Sequence, residues 1–311
     1  MNTPELNNTI RPKVAILGVT GMIGSAIYGV LKDSCDLIVT YRDPDKLGCL
    51  YQRYGQPANV QALRVDFMDW YKDYRSGFAG DIASNNQKKF IADIGSVDWV
   101  INAMGVTKAI ANVDPIATLF LNGSVPHILA AYFNERLIHI ATDCVFDGKE
   151  GAPYDETSPQ HPVDLYGLSK SIGEPSNALV LRTSTIGPEL GTKYGLLEWF
   201  TSRTEAVPGF TNHLWNGITT YELGKACSKL VTGTVAHPGV GTYHIFSDAL
   251  TKADMLLAFR NKLGVSTEVL LIAAEVGVDR RLATSKRLCI DLSIPGFSQM
   301  VAELPTPQPI S

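Results

Sequence analysis

Val14-Ala15-Ile16-Leu17-Gly18-Val19-Thr20-Gly21-Met22-Ile23-Gly24 runs from an uninterrupted apolar tetrad into three evenly spaced glycines, and Ser25 to Leu31 continues in a helical pattern. A short run that is apolar at every position suits a parallel strand buried on both faces. The glycines each answer a physical need: Gly18 permits a tight turn, Gly21 lets backbone approach a ligand, and Gly24 lets the helix pack closely on the strand. The following helix N-terminus presents oriented N–H groups to an anion. A strand, a glycine turn and a helix in this order make Gly18, Thr20, Gly21, Met22, Ile23 and Gly24 the candidate cradle for a dinucleotide pyrophosphate.

Further apolar strands follow at Leu37–Thr40, Ala62–Val65, Trp99–Ala103, Leu137–Ala141 and Ala178–Arg182, separated by helical stretches. This alternation predicts right-handed crossovers and an α/β fold, a Rossmann-type doubly wound parallel sheet. Residues 76–95 read as a helix with an exposed insertion. After Gly187 the pattern loosens into Gly, Thr and aromatic residues. Residues 11–186 are therefore expected to form an NAD(P)-binding Rossmann domain. Residues 187–311 are expected to be mainly a smaller α/β substrate lobe, with parts of 219–247 returning to the Rossmann unit.

The bulk numbers narrow the function. The chain has 311 residues, net charge -4, 45% hydrophobic and 19% charged residues, a mixture that gives no electrostatic reason to expect nucleic acid or an anionic membrane as partner. The five cysteines show no CxxC spacing, and the histidines lack metal-ligand spacing, so neither a disulfide framework nor a metal site is expected. The polar start MNTPELNNTIRPK and the lack of an apolar run of about 18 residues lead to a cytoplasmic expectation.

Cofactor preference is read at the end of the second strand. An acidic residue there favours NAD, whereas this sequence has Thr40-Tyr41-Arg42. The Arg42 guanidinium suits a 2′-phosphate, so NADPH is the expected cofactor, with Asp43 leaving NAD open. Asp66, ending the third strand, is placed for the adenine edge. Asn102, Ala103, Met104 and Gly105 would pass beneath the ribose and nicotinamide.

Tyr166-Gly167-Leu168-Ser169-Lys170 puts a phenol and an ammonium at i and i+4 on one helix face. A nearby ammonium and a cationic nicotinamide ring would lower the phenol pKa into a useful range. Thr142, about two dozen residues upstream, can donate to a carbonyl oxygen as charge develops on it. With these residues in place the chain resembles the extended short-chain dehydrogenase/reductases, and within them the dTDP-4-dehydrorhamnose reductase-like group. The resemblance rests on GVTGMIG, NAMG, TDCVFDG, YGLSK, LRTSTIGPE and NHLWNGITTYELGKA, and covers roughly Val14 to Leu263.

The resemblance implies a nucleotide-linked keto-sugar substrate. Tyr166 would be the proton donor, Lys170 would bind the nicotinamide ribose and tune the phenol, and Thr142 would polarise the carbonyl. It also implies Asp143, Cys144, Phe146, Asn212, Trp215 and Asn216 as substrate contacts, and a possible homodimer. The sequence departs from the rhamnose-forming pattern at Cys144, where tyrosine is usual. A cysteine there resembles GDP-fucose synthase, whose thiol is the base of an epimerisation, but residues 191–195 offer no histidine as the acid. Lys193 or Tyr194 are the substitutes. A bifunctional epimerase/reductase using Cys144, and a non-catalytic regulatory subunit, are the alternatives to a plain reductase.

Overall fold

The computed structural model describes residues 11–76, 84–191 and 195–305. Its centre is a seven-stranded sheet. The first six strands are β1 (Lys13–Leu17), β2 (Asp36–Tyr41), β3 (Val60–Arg64), β4 (Trp99–Asn102), β5 (Leu137–Thr142) and β6 (Leu179–Thr183). In space they lie in the order β3-β2-β1-β4-β5-β6, and the strand Gly241–His244 adds to the β6 edge. Every pairing in this sheet is parallel. The polar ends apart, β1 and β5 are buried throughout, as strands covered on both faces must be.

One face is covered by α1 (Met22–Leu31), α2 (Pro44–Tyr54) and the helix Thr220–Val231, which packs along α1. The other carries α3 (Met68–Arg75), α4 (Asn85–Ile94) and the helix Val125–Phe133. The helix expected within 76–95 is α4, started by a Ser84–Gln87 capping box; residues 77–83 of that expectation lie outside the described residues. The continuous helical run Pro115–Arg136 is long and apolar enough to cross a membrane by length and composition, yet more than half of its most apolar 18-residue stretch is buried inside the protein. Within it, Leu119–Ser124 is wound as a π-helix. Pro126, in the first turn of the next helix, has no N–H for the Asn122 carbonyl, and Gly173 fits against that freed carbonyl, where a Cβ would lie 1.8 Å from its oxygen.

The strand order reverses between β1 and β4, both followed by turns at their carboxyl ends, and this is where open α/β sheets bind ligands. Beyond β6 the chain builds small sheets: Val207–Phe210 with Val269–Ile272, and His213–Trp215 between Leu250–Thr251 and Val278–Asp279.

Candidate active site

The glycine turn fits a dinucleotide. Gly18 has φ +79°, and its N–H donates to Thr40 Oγ1 at 3.0 Å, tying the turn to β2. A Cβ at Gly24 would lie 2.3 Å from the Gly18 carbonyl oxygen, so only glycine lets α1 approach the turn this closely. Gly21, the N-cap of α1, supplies no side-chain cap, and the first turn has no acidic residue. The leading N–H groups of this helix are thus uncompensated and suited to a pyrophosphate.

Beside the turn lies a cavity of about 310 Å³. Gly21, Met22, Ile23, Ala103, Met104 and Gly105, from the glycine turn with the start of α1 and from the segment after β4, line it together with Thr142, Asp143, Cys144, Tyr166 and Lys170. Five of the residues proposed for chemistry or substrate thus meet in one cleft, brought there by the end of β5 and the helix Leu165–Ile172. Asp164 caps that helix by accepting the Gly167 N–H at 2.8 Å, and Lys108 pairs with its other oxygen at 2.7 Å. Among the described residues no group of His, Cys, Asp and Glu could hold a metal ion.

Other predicted residues sit behind or away from the cavity. Gly18 and Thr20 in the turn and Gly24 in the first turn of α1 do not line the space, and Asn102 is buried without lining it. Arg42 is exposed at the end of β2, and Asp66 Oδ1 accepts the Met68 N–H at 3.0 Å. Phe146 is fully buried, stacked on Tyr154 at 4.2 Å with the Arg182 guanidinium over its ring. Asn212 spends its carboxamide on both backbone groups of Ala274, and Asn216 on both of Leu282, each at 2.8–2.9 Å. Trp215 packs edge-on to Phe297. The structure brings none of these four to the cavity: Asn212, Trp215 and Asn216 hold the small lobe together, and Phe146 packs in the core beside it. Lys193 and Tyr194 lie outside the described residues.

The electrostatics depart from expectation at Tyr166. Burial pushes its phenol well above the ordinary value, Cys144 adds to the rise, and a hydrogen bond with Thr142 opposes part of it. The expected lowering of the phenol does not appear, because burial dominates; the Lys170 ammonium, which donates to the Ile140 carbonyl at 2.8 Å, is itself lowered to about 8 by burial. Thr142 Oγ1 accepts the Cys144 N–H and donates to Asp143 Oδ1, both at 3.2 Å. Burial raises the Asp143 carboxyl, with Arg280 opposing. The Cys144 thiol is pushed up to about 12, by burial first and the Asp143 charge second.

Two groups escaped the sequence reading. Thr183, at the end of β6, and Ser184 and Thr185 just after it line the cavity; their signal was the polar ending of an apolar strand at the sheet's carboxyl edge. Asn122, in the π-helical turn, accepts the Val106 N–H at 2.8 Å and donates to the Val106 carbonyl and Ser169 Oγ at 3.0 Å. It fastens the cavity wall to the helix that carries Tyr166 and Lys170. Nothing in its local sequence reveals this, since its partners are 16 and 47 residues away.

A parallel Rossmann sheet with a glycine turn facing a Thr–Tyr–Lys cleft defines an extended short-chain dehydrogenase/reductase, a class of NAD(P)-dependent oxidoreductases. Residues 12–279 match the family model described as RmlD substrate binding domain, and the chain belongs to that family. A probable low-salt glycan biosynthesis reductase of Haloferax volcanii is 28% identical over 230 residues, 68% of this chain and 75% of the relative. The structure of a dTDP-4-dehydrorhamnose reductase from Bacillus anthracis, in complex with NADP, superposes with TM-score 0.65 at 16% identity, covering 94% of this chain and 98% of that one. A UDP-N-acetylglucosamine 4-epimerase from Methanobrevibacter ruminantium superposes with TM-score 0.70 at 15% identity, covering 94% and 97%. At such identities the two structures show a shared fold.

Proposed function

We propose that this chain is an NADPH-dependent reductase of a nucleotide-linked keto-sugar, with a dTDP-linked 4-keto-6-deoxy hexose as the representative substrate. The observation that carries the reading is the meeting of Thr142, Tyr166 and Lys170 in one cleft against the Gly21–Ile23 and Ala103–Gly105 wall. The names of the Haloferax and Bacillus proteins support the substrate class, and the NADP in the latter supports the cofactor.

NADPH, when bound, supplies the hydride. The residues of this chain do the rest. Tyr166, its phenol raised by burial, holds its proton at neutral pH and is a donor to the keto oxygen rather than a base. Thr142 turns its hydroxyl from Asp143 to the same oxygen as negative charge builds there. Lys170, anchored at the Ile140 carbonyl, sits one helical turn from Tyr166 with donors left for a ribose hydroxyl. The reaction balances as hydride to carbon and the Tyr166 proton to oxygen, giving an alcohol.

Cys144 lines the cleft, but a thiol held up near 12 carries almost no thiolate at neutral pH. Reduction without epimerisation is therefore the reading. The test is NADPH oxidation with dTDP-linked 4-keto-6-deoxy hexose. Net consumption is expected, with Tyr166→Phe slower by roughly 10²–10⁴-fold while still binding NADPH. A fully active Tyr166→Phe protein, or no consumption across such sugars, would overturn it.

A further inference from the structure

Arg64, which the sequence reading did not single out, ends β3 directly opposite Tyr41, the neighbour of Arg42, in the parallel β2–β3 register. Its Nε donates to the Arg42 backbone carbonyl at 3.3 Å, so the side chain lies across the carboxyl end of β2. That end is fastened to the glycine turn: Gly18 N–H donates to Thr40 Oγ1, and Val19 N–H to the Thr40 carbonyl, both at 3.0 Å. Both arginines are exposed, and neither makes an ion pair among the described residues. The nearest carboxylate in sequence, Asp43, is committed elsewhere: its Oδ1 caps α2 by accepting the Asp45 and Lys46 N–H groups. The acidic alternative for a ribose diol thus has one carboxylate oxygen held by a helix terminus, and two guanidiniums stand beside it.

We propose that Arg64 is a specificity-determining residue that, together with Arg42, clamps the 2′-phosphate of NADPH. This rests on the NADPH reading above and extends it to a residue on a different strand. Anchoring through Nε leaves both terminal nitrogens of Arg64 as a fork for phosphate oxygens, with little side-chain freedom left to lose. A lysine in that position keeps the charge but has neither the anchor nor the fork.

The test is binding, measured by calorimetry on the full chain with NADPH, NADH and 2′,5′-ADP, the last carrying the 2′-phosphate without a nicotinamide. Arg64→Ala is expected to weaken NADPH and 2′,5′-ADP by roughly 10- to 100-fold and to leave NADH unchanged, with Arg64→Lys between the two. Equal losses for NADPH and NADH, or no loss for either, overturn the assignment of Arg64. If Arg42→Ala alone discriminates against NADPH, the cofactor reading survives and the role of Arg64 falls. If the wild-type protein binds NADH as tightly as NADPH and does not bind 2′,5′-ADP, both fall together.

Discussion

Nδ1 of His139 lies 3.0 Å from the carboxamide nitrogen of Asn102, whose oxygen accepts the Met104 N–H at 3.2 Å. The carboxamide nitrogen can only donate, so Nδ1 must accept and the ring is neutral with its proton on Nε2. The pair fixes the turn through Met104, whose Cγ and Cα would lie 2.8 and 3.2 Å from a Cβ on Gly18. A strand residue on β5 thus sets the cavity wall at Met104.

Burial, with the Lys170 charge adding to it, holds the His139 pKa well below 6.5. The unfolded chain takes up a proton below pH 6.5 that the folded one refuses, so stability is lost as pH falls through that value. His139→Leu is expected to cost about 1–3 kcal/mol at pH 8, by orphaning the Asn102 amide. It should also flatten the acid side of the stability curve. Urea denaturation over a pH series checks both; an unchanged acid slope would show that His139 is not the titrating group.

Lys170→Met is expected to be inactive yet more stable. The ammonium is lowered to about 8 from 10.5, so the full penalty of burying its charge is present below pH 8 and is relieved as pH rises to 10.5. Removing it, less the lost bond to the Ile140 carbonyl, gives a gain on the order of 2 kcal/mol at pH 7. The gap to wild type should close between pH 8 and 10.5. Denaturation of the two proteins at pH 7 and pH 10.5 decides it, and a less stable variant at pH 7 would refute the burial penalty.

What the sequence displayed and what it concealed divide along physical lines. Val14–Leu17 and Leu137–Thr142 were readable because a strand buried on both faces must be apolar nearly throughout, and Tyr166 and Lys170 because helical periodicity is local. The direction of the Tyr166 shift was not readable, since desolvation depends on what the fold packs around the phenol. Asn212 and Asn216 looked like ligand contacts for a related reason: their partners, Ala274 and Leu282, are 62 and 66 residues away. The buried Arg182–Glu174 pair, with His244 at 2.7 Å from the guanidinium, was equally hidden in three separate segments.

Cys144→Ala should keep near wild-type kcat, because a thiol raised to about 12 behaves as a small apolar side chain. Reduction in deuterated water should then place no solvent deuterium on the carbons flanking the ketone, in either protein. Deuterium there in the wild type, lost in the variant, would restore Cys144 as an epimerisation base.

Gly167 lies between Tyr166 and Lys170 and marks how tightly their helix is seated. A Cβ on Gly167 would lie 2.3 Å from the Cys144 carbonyl oxygen and 3.0 Å from Pro162 Cβ. The first contact is backbone, so Gly167→Ala must push the helix off the Thr142–Phe146 segment. An overpacking cost of about 1–3 kcal/mol is expected, with kcat falling on the order of 10²-fold as Tyr166 and Thr142 separate. Gly48, within α2 and with open space where a Cβ would stand, is the matched control. Gly48→Ala should stabilise by about 0.5–1 kcal/mol and leave kcat unchanged, since alanine favours a helix over glycine. Thermal melts and steady-state rates on the two variants check the pair, and an active, stable Gly167→Ala protein would show that the helix has room to move without disturbing the cleft.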